Sequence, residues 1–147
     1  MNIYLDMDGT IADFYGVTDW EKDLSIYSTR PYEVAKPIGR FCYLARLLNL
    51  VQKKGHTINI ISWSSKTATP TYDRDVEIAK RVWLARHLPS VKFDRIEVVA
   101  YGTPKHEGRT GILFDDNESI RTDWDKSGNT SYTEKEIISV LRGLLKK

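Results

Sequence analysis

The fold of this chain is decided by the stretch that opens it, Asn2-Ile3-Tyr4-Leu5-Asp6-Met7-Asp8-Gly9-Thr10. Asn2–Leu5 is short and apolar and is followed by acids and a glycine, which predicts a buried strand that ends in a turn. If the chain turns at Gly9, Asp6 and Asp8 can face one site. Carboxylates held that close together repel each other, and a bound cation would relieve the repulsion.

Strand patterns alternate with helical patterns along the rest of the chain. This alternation predicts an α/β protein in which helices cover both faces of a parallel sheet. Ligands of such sheets bind at the carboxyl ends of the strands. Further strands are predicted at Thr57–Trp63, Arg95–Tyr101, Gly111–Phe114 and Gly128–Tyr132. Helices are predicted to begin at Pro37, near Asp73, near Asn117 and at the capping box Thr133-Glu134-Lys135-Glu136. The helix that begins near Asp73 has a predicted apolar face made of Val76, Ala79, Val82 and Trp83.

A second pair of acids, Asp115-Asp116, follows the apolar run Ile112–Phe114. Taken alone, either acidic pair could be a set of helix caps and turn formers, because aspartate is common in both positions. Both pairs, however, end apolar strands. Four carboxylates at two parallel strand ends form the oxygen-rich kind of site that magnesium prefers.

Two further polar residues stand at positions suited to binding phosphate. Ser62 ends the strand predicted at Thr57–Trp63, where a hydroxyl and the amides of the next turn can hold a phosphate oxygen. Lys105 precedes Asp115 by ten residues and could neutralise phosphate charge. Taken alone, Ser62 is more typical of ordinary turn chemistry, and Lys105 is more typical of a solvated surface lysine.

Together these residues resemble the four motifs of the haloacid dehalogenase superfamily of phosphotransferases. Asp6-Met7-Asp8-Gly9-Thr10 is similar to the first motif, DxDGT, and Ser62, Lys105 and Asp115-Asp116 match the second, third and fourth motifs in order. The longer run from Asp6 to Phe14 is similar to the opening of the 5′(3′)-deoxyribonucleotidases, the cytosolic type C 5′-nucleotidases. Those proteins more often have Val-Leu where this chain has Thr10-Ile11.

The resemblance implies a Rossmann-like, three-layer α/β/α fold and a covalent phosphatase mechanism. Asp6 would be the nucleophile that forms an aspartyl-phosphate. Asp8 would be the general acid that protonates the leaving oxygen and then the base that activates water. Lys105 would be catalytic and would also bind phosphate, together with Ser62, Gly9 and Thr10.

The resemblance also implies a Mg²⁺ cofactor. The ion would be held by the side chain of Asp6, the backbone carbonyl of Asp8 and an acid of the fourth motif. Whether Asp115 or Asp116 is the direct ligand stays open. One Mg²⁺ and one lysine would supply much of the catalysis, because phosphoryl transfer depends mostly on positioning and charge neutralisation.

The link from Asp6 to Ser62 is much longer than a strand–helix–strand connection needs, and the extra length lies at about residues 14–36. The resemblance implies that this insertion forms a small cap over the site, within a single domain of residues 1–147. Its aromatic residues could stack on a base or could form the cap's own core. Phe14 is the best candidate for base contact. Trp63 is predicted to be a wall of the substrate pocket, or else to pack against a neighbouring loop.

Composition places the chain among ordinary soluble domains. Its 147 residues are 41% hydrophobic and 29% charged, with no apolar run long enough to cross a membrane and no secretory signal pattern. The single cysteine, Cys42, cannot form an internal disulfide, and no Cys/His pairs have zinc spacing. These features predict a cytoplasmic protein. The net charge is −4 over residues 1–36 and +6 over residues 37–147.

Three functions are compatible with these patterns. The first is a Mg²⁺-dependent phosphomonoesterase that acts on nucleoside monophosphates, deoxyribonucleotides among them. The second is a phosphatase acting on DNA or RNA ends, which the short cap and the basic balance of residues 37–147 favour. The third is a nucleotide-binding module without catalysis. The sequence does not indicate which base or sugar the substrate would contain, where its phosphate would be attached, or what the oligomeric state of the protein is.

Overall fold

The computed structural model describes all 147 residues, and a five-stranded sheet lies at its centre. The strands are β1 (Asn2–Leu5), β2 (Ala12–Asp13), β3 (Lys36–Pro37), β4 (Thr57–Trp63), β5 (Arg95–Val99), β6 (Ile112–Phe114) and β7 (Thr130–Tyr132). The central sheet has the order β5-β4-β1-β6-β7, and all its neighbouring strands are parallel. The predicted parallel sheet is therefore confirmed. Strand β1 lies in the middle, between β4, which contains Ser62, and β6, which Asp115 follows.

Helices cover both faces of this sheet. They are α1 (Trp20–Ser25), α2 (Arg30–Val34), α3 (Phe41–Lys53), α4 (Pro70–His87), α5 (Glu118–Lys126) and α6 (Ile137–Leu145), with a 3₁₀ turn at Glu134–Glu136. Side chains alternate along the strands. Ile3 and Leu5 of β1 pack with α3, α4 and α6, whereas Tyr4 points to the opposite face and contacts Trp124 of α5.

The insertion after β1 forms a small lobe whose core is shared with α4. Its two ends are held together by an antiparallel pair in which Ala12 of β2 lies opposite Pro37 of β3. Phe14, Leu24 and Tyr32 from the insertion are buried against Tyr72 and Val76 of α4. The insertion is therefore anchored to the helix that follows β4, which is the strand that ends at the predicted phosphate site.

The prediction that a helix begins at Pro37 is wrong. Pro37 lies in β3, and the amide of the next residue, Ile38, donates to the carbonyl of Ile11 at 2.8 Å. The chain then turns through Gly39, whose φ is 79°, and α3 begins at Phe41. The two ends of the insertion meet by pairing β2 with β3. This pairing keeps the backbone at Pro37 extended, so a helix cannot begin there.

None of the six helices combines the length and the apolar character that crossing a membrane requires.

Candidate active site

The carboxyl ends of β1, β4 and β6 meet at one edge of the sheet and open into a cleft of about 320 Å³. Backbone pairing continues just beyond the strands: the amide of Asp6 donates to the carbonyl of Phe114, and the amide of Asp115 to that of Tyr132. Both acids are therefore held by the sheet itself. The predicted site residues that line the cleft are Asp6, Asp8, Phe14, Trp63, Lys105, Asp115 and Asp116.

Thr10 and Gly9 fix the arrangement of the carboxylates. The Thr10 hydroxyl lies 2.9 Å from Asp6 Oδ2 and 3.2 Å from Asp116 Oδ1, and it accepts the amide of Asp116 at 3.1 Å. Gly9 has a φ of 81°, and a Cβ at this position would overlap the Asp116 carboxylate. The amides of Gly9 and Thr10 donate within the loop, to Ala12 and Met7. Phosphate binding by Gly9 and Thr10 stays a prediction.

Lys105 joins the acids of the first and fourth motifs. Its ammonium group is buried and donates to Asp6 Oδ1 at 2.9 Å and to Asp115 Oδ2 at 2.8 Å. Burial alone would lower the pKa of Lys105, but the charges of Asp6 and Asp115 raise that pKa above its ordinary value. The lysine therefore remains a fixed positive charge at the floor of the cleft.

Three carboxylates form a cluster that fits a divalent cation. Oxygens of Asp6, Asp115 and Asp116 all lie within 4.8 Å of one another. Burial, followed by the charge of Asp6, raises the pKa of Asp115 to about 6 and that of Asp116 to about 7. The four carboxylates, counting Asp8, have only two lysines as ion-pair partners, Lys105 and Lys80, so in their ionised forms they carry two more negative charges than these lysines neutralise. A hard divalent cation with oxygen ligands would balance them.

Asp8 lies outside this cluster although it is only two residues from Asp6. Its Oδ2 accepts a hydrogen bond of 2.9 Å from Lys80, and a fifth of its side chain is exposed. Burial raises the pKa of Asp8, and the charge of Lys80 opposes the increase. The two acids of the first motif therefore occupy different environments.

Lys80 is the functional candidate that the sequence analysis missed. It lies on α4, is 1% exposed, and also donates to Ser62 Oγ at 2.6 Å and to the carbonyl of Trp63 at 2.7 Å. Ser62 is buried and is not among the residues that line the cleft, whereas Ser64 and Ser65, which are also buried, do line it. Phosphate binding by Ser62 stays a prediction. A signal was present in the sequence: Lys80 falls at helical spacing between Val76 and Trp83, in the middle of an otherwise apolar stripe.

Aromatic side chains form two walls of the cleft. On the insertion side, Phe14 packs 4.7 Å from Tyr32 between ring centroids, so it both lines the cleft and belongs to the insertion's core. In the second wall, the Trp63 ring lies 4.9 Å from that of Tyr101, and the Trp63 indole donates to the carbonyl of Thr103 at 2.7 Å. Phe14 and Trp63 thus both pack locally and line the cleft, and contact of either residue with a substrate stays a prediction.

Comparison with solved structures identifies the fold. A D,D-heptose 1,7-bisphosphate phosphatase from Burkholderia thailandensis aligns with a TM-score of 0.61 at 10% identity, over 99% of both chains. The same enzyme from B. bronchiseptica, complexed with magnesium and phosphate, aligns with a TM-score of 0.60 at 12% identity, over 99% of this chain and 98% of that one. No family model and no curated protein matches the sequence.

The chain therefore has a fold of the haloacid dehalogenase type, with a parallel five-stranded sheet and a small insertion after the first strand. This confirms the predicted fold class. The structures it resembles are sugar bisphosphate phosphatases, so the narrower resemblance to deoxyribonucleotidases gains no support from the comparisons.

Proposed function

We propose that the protein is a phosphomonoesterase that depends on Mg²⁺. The observation that carries this proposal is the cluster of Asp6, Asp115 and Asp116 at the end of the sheet, with the buried Lys105 joining two of its members. Phosphoryl transfer needs this combination of a metal site and a fixed positive charge. One of the solved structures with the same fold is described as a complex with magnesium and phosphate, which supports the proposal.

Mg²⁺ would be held by Asp6, by the backbone carbonyl of Asp8 and by the acids of the fourth motif, and would polarise the phosphoryl oxygens. Asp116 is the better candidate for a direct ligand. Both oxygens of Asp115 already accept hydrogen bonds, from Lys105 and from the amide of Asn117. Asp116 has Oδ2 without a protein donor, and it is the most exposed acid of the cluster.

The side chains of the cleft support a two-step reaction. A carboxylate oxygen of Asp6 attacks phosphorus, the ester P–O bond breaks, and Asp8 gives its proton to the leaving oxygen. Asp8 then takes a proton from water as that water attacks the aspartyl-phosphate, which releases inorganic phosphate and restores Asp6. Lys105 and Ser62 would hold phosphoryl oxygens during both steps.

We infer that the substrates are nucleoside monophosphates, deoxyribonucleotides among them. The support is the pair of aromatic walls, one with Phe14 and the other with Trp63 and Tyr101, because a planar base stacks on aromatic faces. The cleft is small, at the lower end of the range for small-molecule sites.

The alternative functions have less support. A nucleic acid end would require a basic approach to the site, yet Lys66 and Lys105 are the only basic residues that line the cleft, and Lys105 is paired with two acids. A binding module without catalysis has no observation in its favour, because Asp6 and Asp8 are both present and both held by lysines.

A phosphate-release assay tests the proposal. The panel contains nucleoside 5′- and 3′-monophosphates, sugar phosphates and 5′-phosphorylated oligonucleotides, each with and without Mg²⁺. We expect turnover that requires Mg²⁺ and is fastest with mononucleotides. Turnover of sugar phosphates alone would overturn the substrate assignment, and nucleotide binding without any phosphate release would overturn the enzymatic one. The Asp6→Asn variant, purified in parallel, controls for contaminating phosphatases.

A further inference from the structure

Lys80 is a buried charge to which the proposed reaction assigns no role. It occupies a position in the apolar stripe of α4 where a hydrophobic side chain would pack without an ion to desolvate. Burying an ammonium group costs several kcal/mol unless good partners compensate. The compensation here comes from the active site, because one partner of Lys80 is Asp8 and another is Ser62.

We propose that Lys80 is a positioning residue that sets the carboxylate of Asp8 and the hydroxyl of Ser62 in a fixed relation to each other. This inference rests on the proposed phosphatase function. Asp8 would be the proton donor to the leaving group, and Ser62 would hold the phosphoryl group. Lys80 would touch neither substrate nor metal and would act through these two side chains.

The hydrogen bonds give the ammonium group a single orientation. It has three donors and three protein acceptors, at 2.6 Å (Ser62 Oγ), 2.7 Å (the Trp63 carbonyl) and 2.9 Å (Asp8 Oδ2). The bond to the Trp63 carbonyl ties Lys80 to the end of β4. Asp8, in the turn after β1, is thereby fastened to the neighbouring strand and kept out of the carboxylate cluster.

The same contacts orient the hydroxyl of Ser62. Because its oxygen accepts from Lys80, its proton is left to donate to another acceptor, as binding a phosphoryl oxygen requires. The ring of Tyr32 lies 5.1 Å from the Lys80 ammonium, so the insertion also contacts this cation. Lys80 therefore connects α4, the end of β4, the turn after β1 and the insertion.

The test is a double-mutant cycle of Lys80→Met and Asp8→Asn, measured on a nucleoside monophosphate and on p-nitrophenyl phosphate. The nitrophenolate leaves without a proton, so it reports on the first step without help from Asp8. We expect Lys80→Met to lower kcat on the nucleotide on the order of 10²-fold, since misplacing a reacting group by about 1 Å costs that much. On p-nitrophenyl phosphate the rate of the first nitrophenolate release, which reports aspartyl-phosphate formation alone, should fall less than about tenfold.

In the Asp8→Asn background, Lys80→Met should lower kcat on the nucleotide by less than about tenfold, because Asp8 has lost its function and only the contact with Ser62 remains to be disturbed. Equal losses on both substrates, or losses that multiply in the double variant, would mean that Lys80 supports only the fold and would overturn the inference. Lys80→Gln, which keeps a hydrogen-bond donor without the charge, should show the same substrate dependence, and it replaces Lys80→Met if that variant does not fold. If the wild-type protein turns over neither ester, the proposed function fails and this inference fails with it. If the wild-type protein is active but Lys80→Met loses the same factor on both esters, only this inference fails.

Discussion

Two buried lysines divide the acids of the cleft into two groups with different electrostatics. Lys105 contacts Asp6 and Asp115, which belong to a cluster of three carboxylates and leave negative charge in excess. Lys80 contacts a single carboxylate, that of Asp8, with a hydroxyl and a backbone carbonyl as its other partners. The first group is suited to a cation and a nucleophile, and the second to moving a proton. The different roles proposed for Asp6 and Asp8, two residues apart, match the different lysines that they contact.

The sharpest test of this division is Asp6→Asn. The change removes the attacking oxygen and a metal ligand while preserving the size of the side chain. Activity should fall by on the order of 10⁴-fold or more, as it does for other covalent nucleophiles. Steady-state phosphate release measures the loss.

Asp13→Asn is a matched control, because Asp13 is exposed, does not line the cleft and should tolerate the change. If Asp6→Asn keeps a tenth or more of the wild-type activity, the nucleophile assignment is wrong, and the two groups would not differ in the way described.

Asp8→Asn should have a smaller effect that depends on the leaving group. Proton transfer contributes about 10²- to 10⁴-fold, so the rate of aspartyl-phosphate formation should fall by that much with alkyl phosphates and much less with p-nitrophenyl phosphate. The variant should release a burst of about one equivalent of nitrophenolate and then hydrolyse the aspartyl-phosphate slowly. Rapid-mixing absorbance measures the burst. Equal losses on both esters would contradict a proton-transfer role and would place Asp8 with the metal-binding group.

Removing the divalent cation probes the Lys105 group alone. We expect EDTA to lower activity about 10²- to 10³-fold and Mg²⁺ to restore it, since metal stabilisation of a phosphoryl group is worth several kcal/mol. Mg²⁺ should also raise the thermal midpoint, because it binds the folded cluster, where burial and then the charge of Asp6 raise the pKa values of Asp115 and Asp116.

Asp116→Asn should weaken both effects of Mg²⁺, whereas Lys80→Met should leave the Mg²⁺-dependent rise in thermal midpoint intact. A midpoint that does not respond to Mg²⁺ in the wild-type protein would argue against a metal site at this cluster.

The Lys105 group was predictable from the sequence because its information is local. An apolar run followed by acids indicates a strand and its end, and parallel strand ends meet at one edge of a sheet. Asp6 and Asp115 could therefore be brought together without knowing any contact. Lys105 was placed only by its order among the motifs.

The Lys80 group could not be predicted in the same way, because it depends on how α4 is rotated. Apolar periodicity put Val82 on the buried face and left lysine out. The structure instead exposes 60% of Val82 and buries Lys80 to 1%. A hydrophobicity pattern places every lysine on the surface. The ammonium group of Lys80 can be buried because it forms an ion pair with Asp8, which lies 72 positions away in the sequence. The pairing of β2 with β3, which displaced the helix expected at Pro37, was likewise set by a contact between distant residues.

The smallest effect expected concerns the aromatic walls, each of which is next to one of the two lysines. The Trp63 ring lies 5.6 Å from the Lys105 ammonium, as the Tyr32 ring lies near Lys80. Tyr101 packs on Trp63 from the open side and is half exposed, so Tyr101→Ala removes a stacking surface without opening the core. Stacking on a base is worth about 1–3 kcal/mol, so KM for a nucleoside monophosphate should rise about tenfold, with kcat changing less than about threefold.

Two controls separate stacking from a general disturbance of the site. Tyr27→Ala removes an equally exposed tyrosine that does not line the cleft, and it should leave KM unchanged. Glycerol phosphate has no ring, so its KM should not respond to Tyr101→Ala if the wall acts by stacking. An increase in KM that is the same for both substrates would mean that the Trp63–Tyr101 wall positions Lys105 and the phosphate rather than the leaving group. The wall would then belong to the chemistry of the Lys105 group, and selection of the base would have to come from Phe14 and the insertion on the side of Lys80.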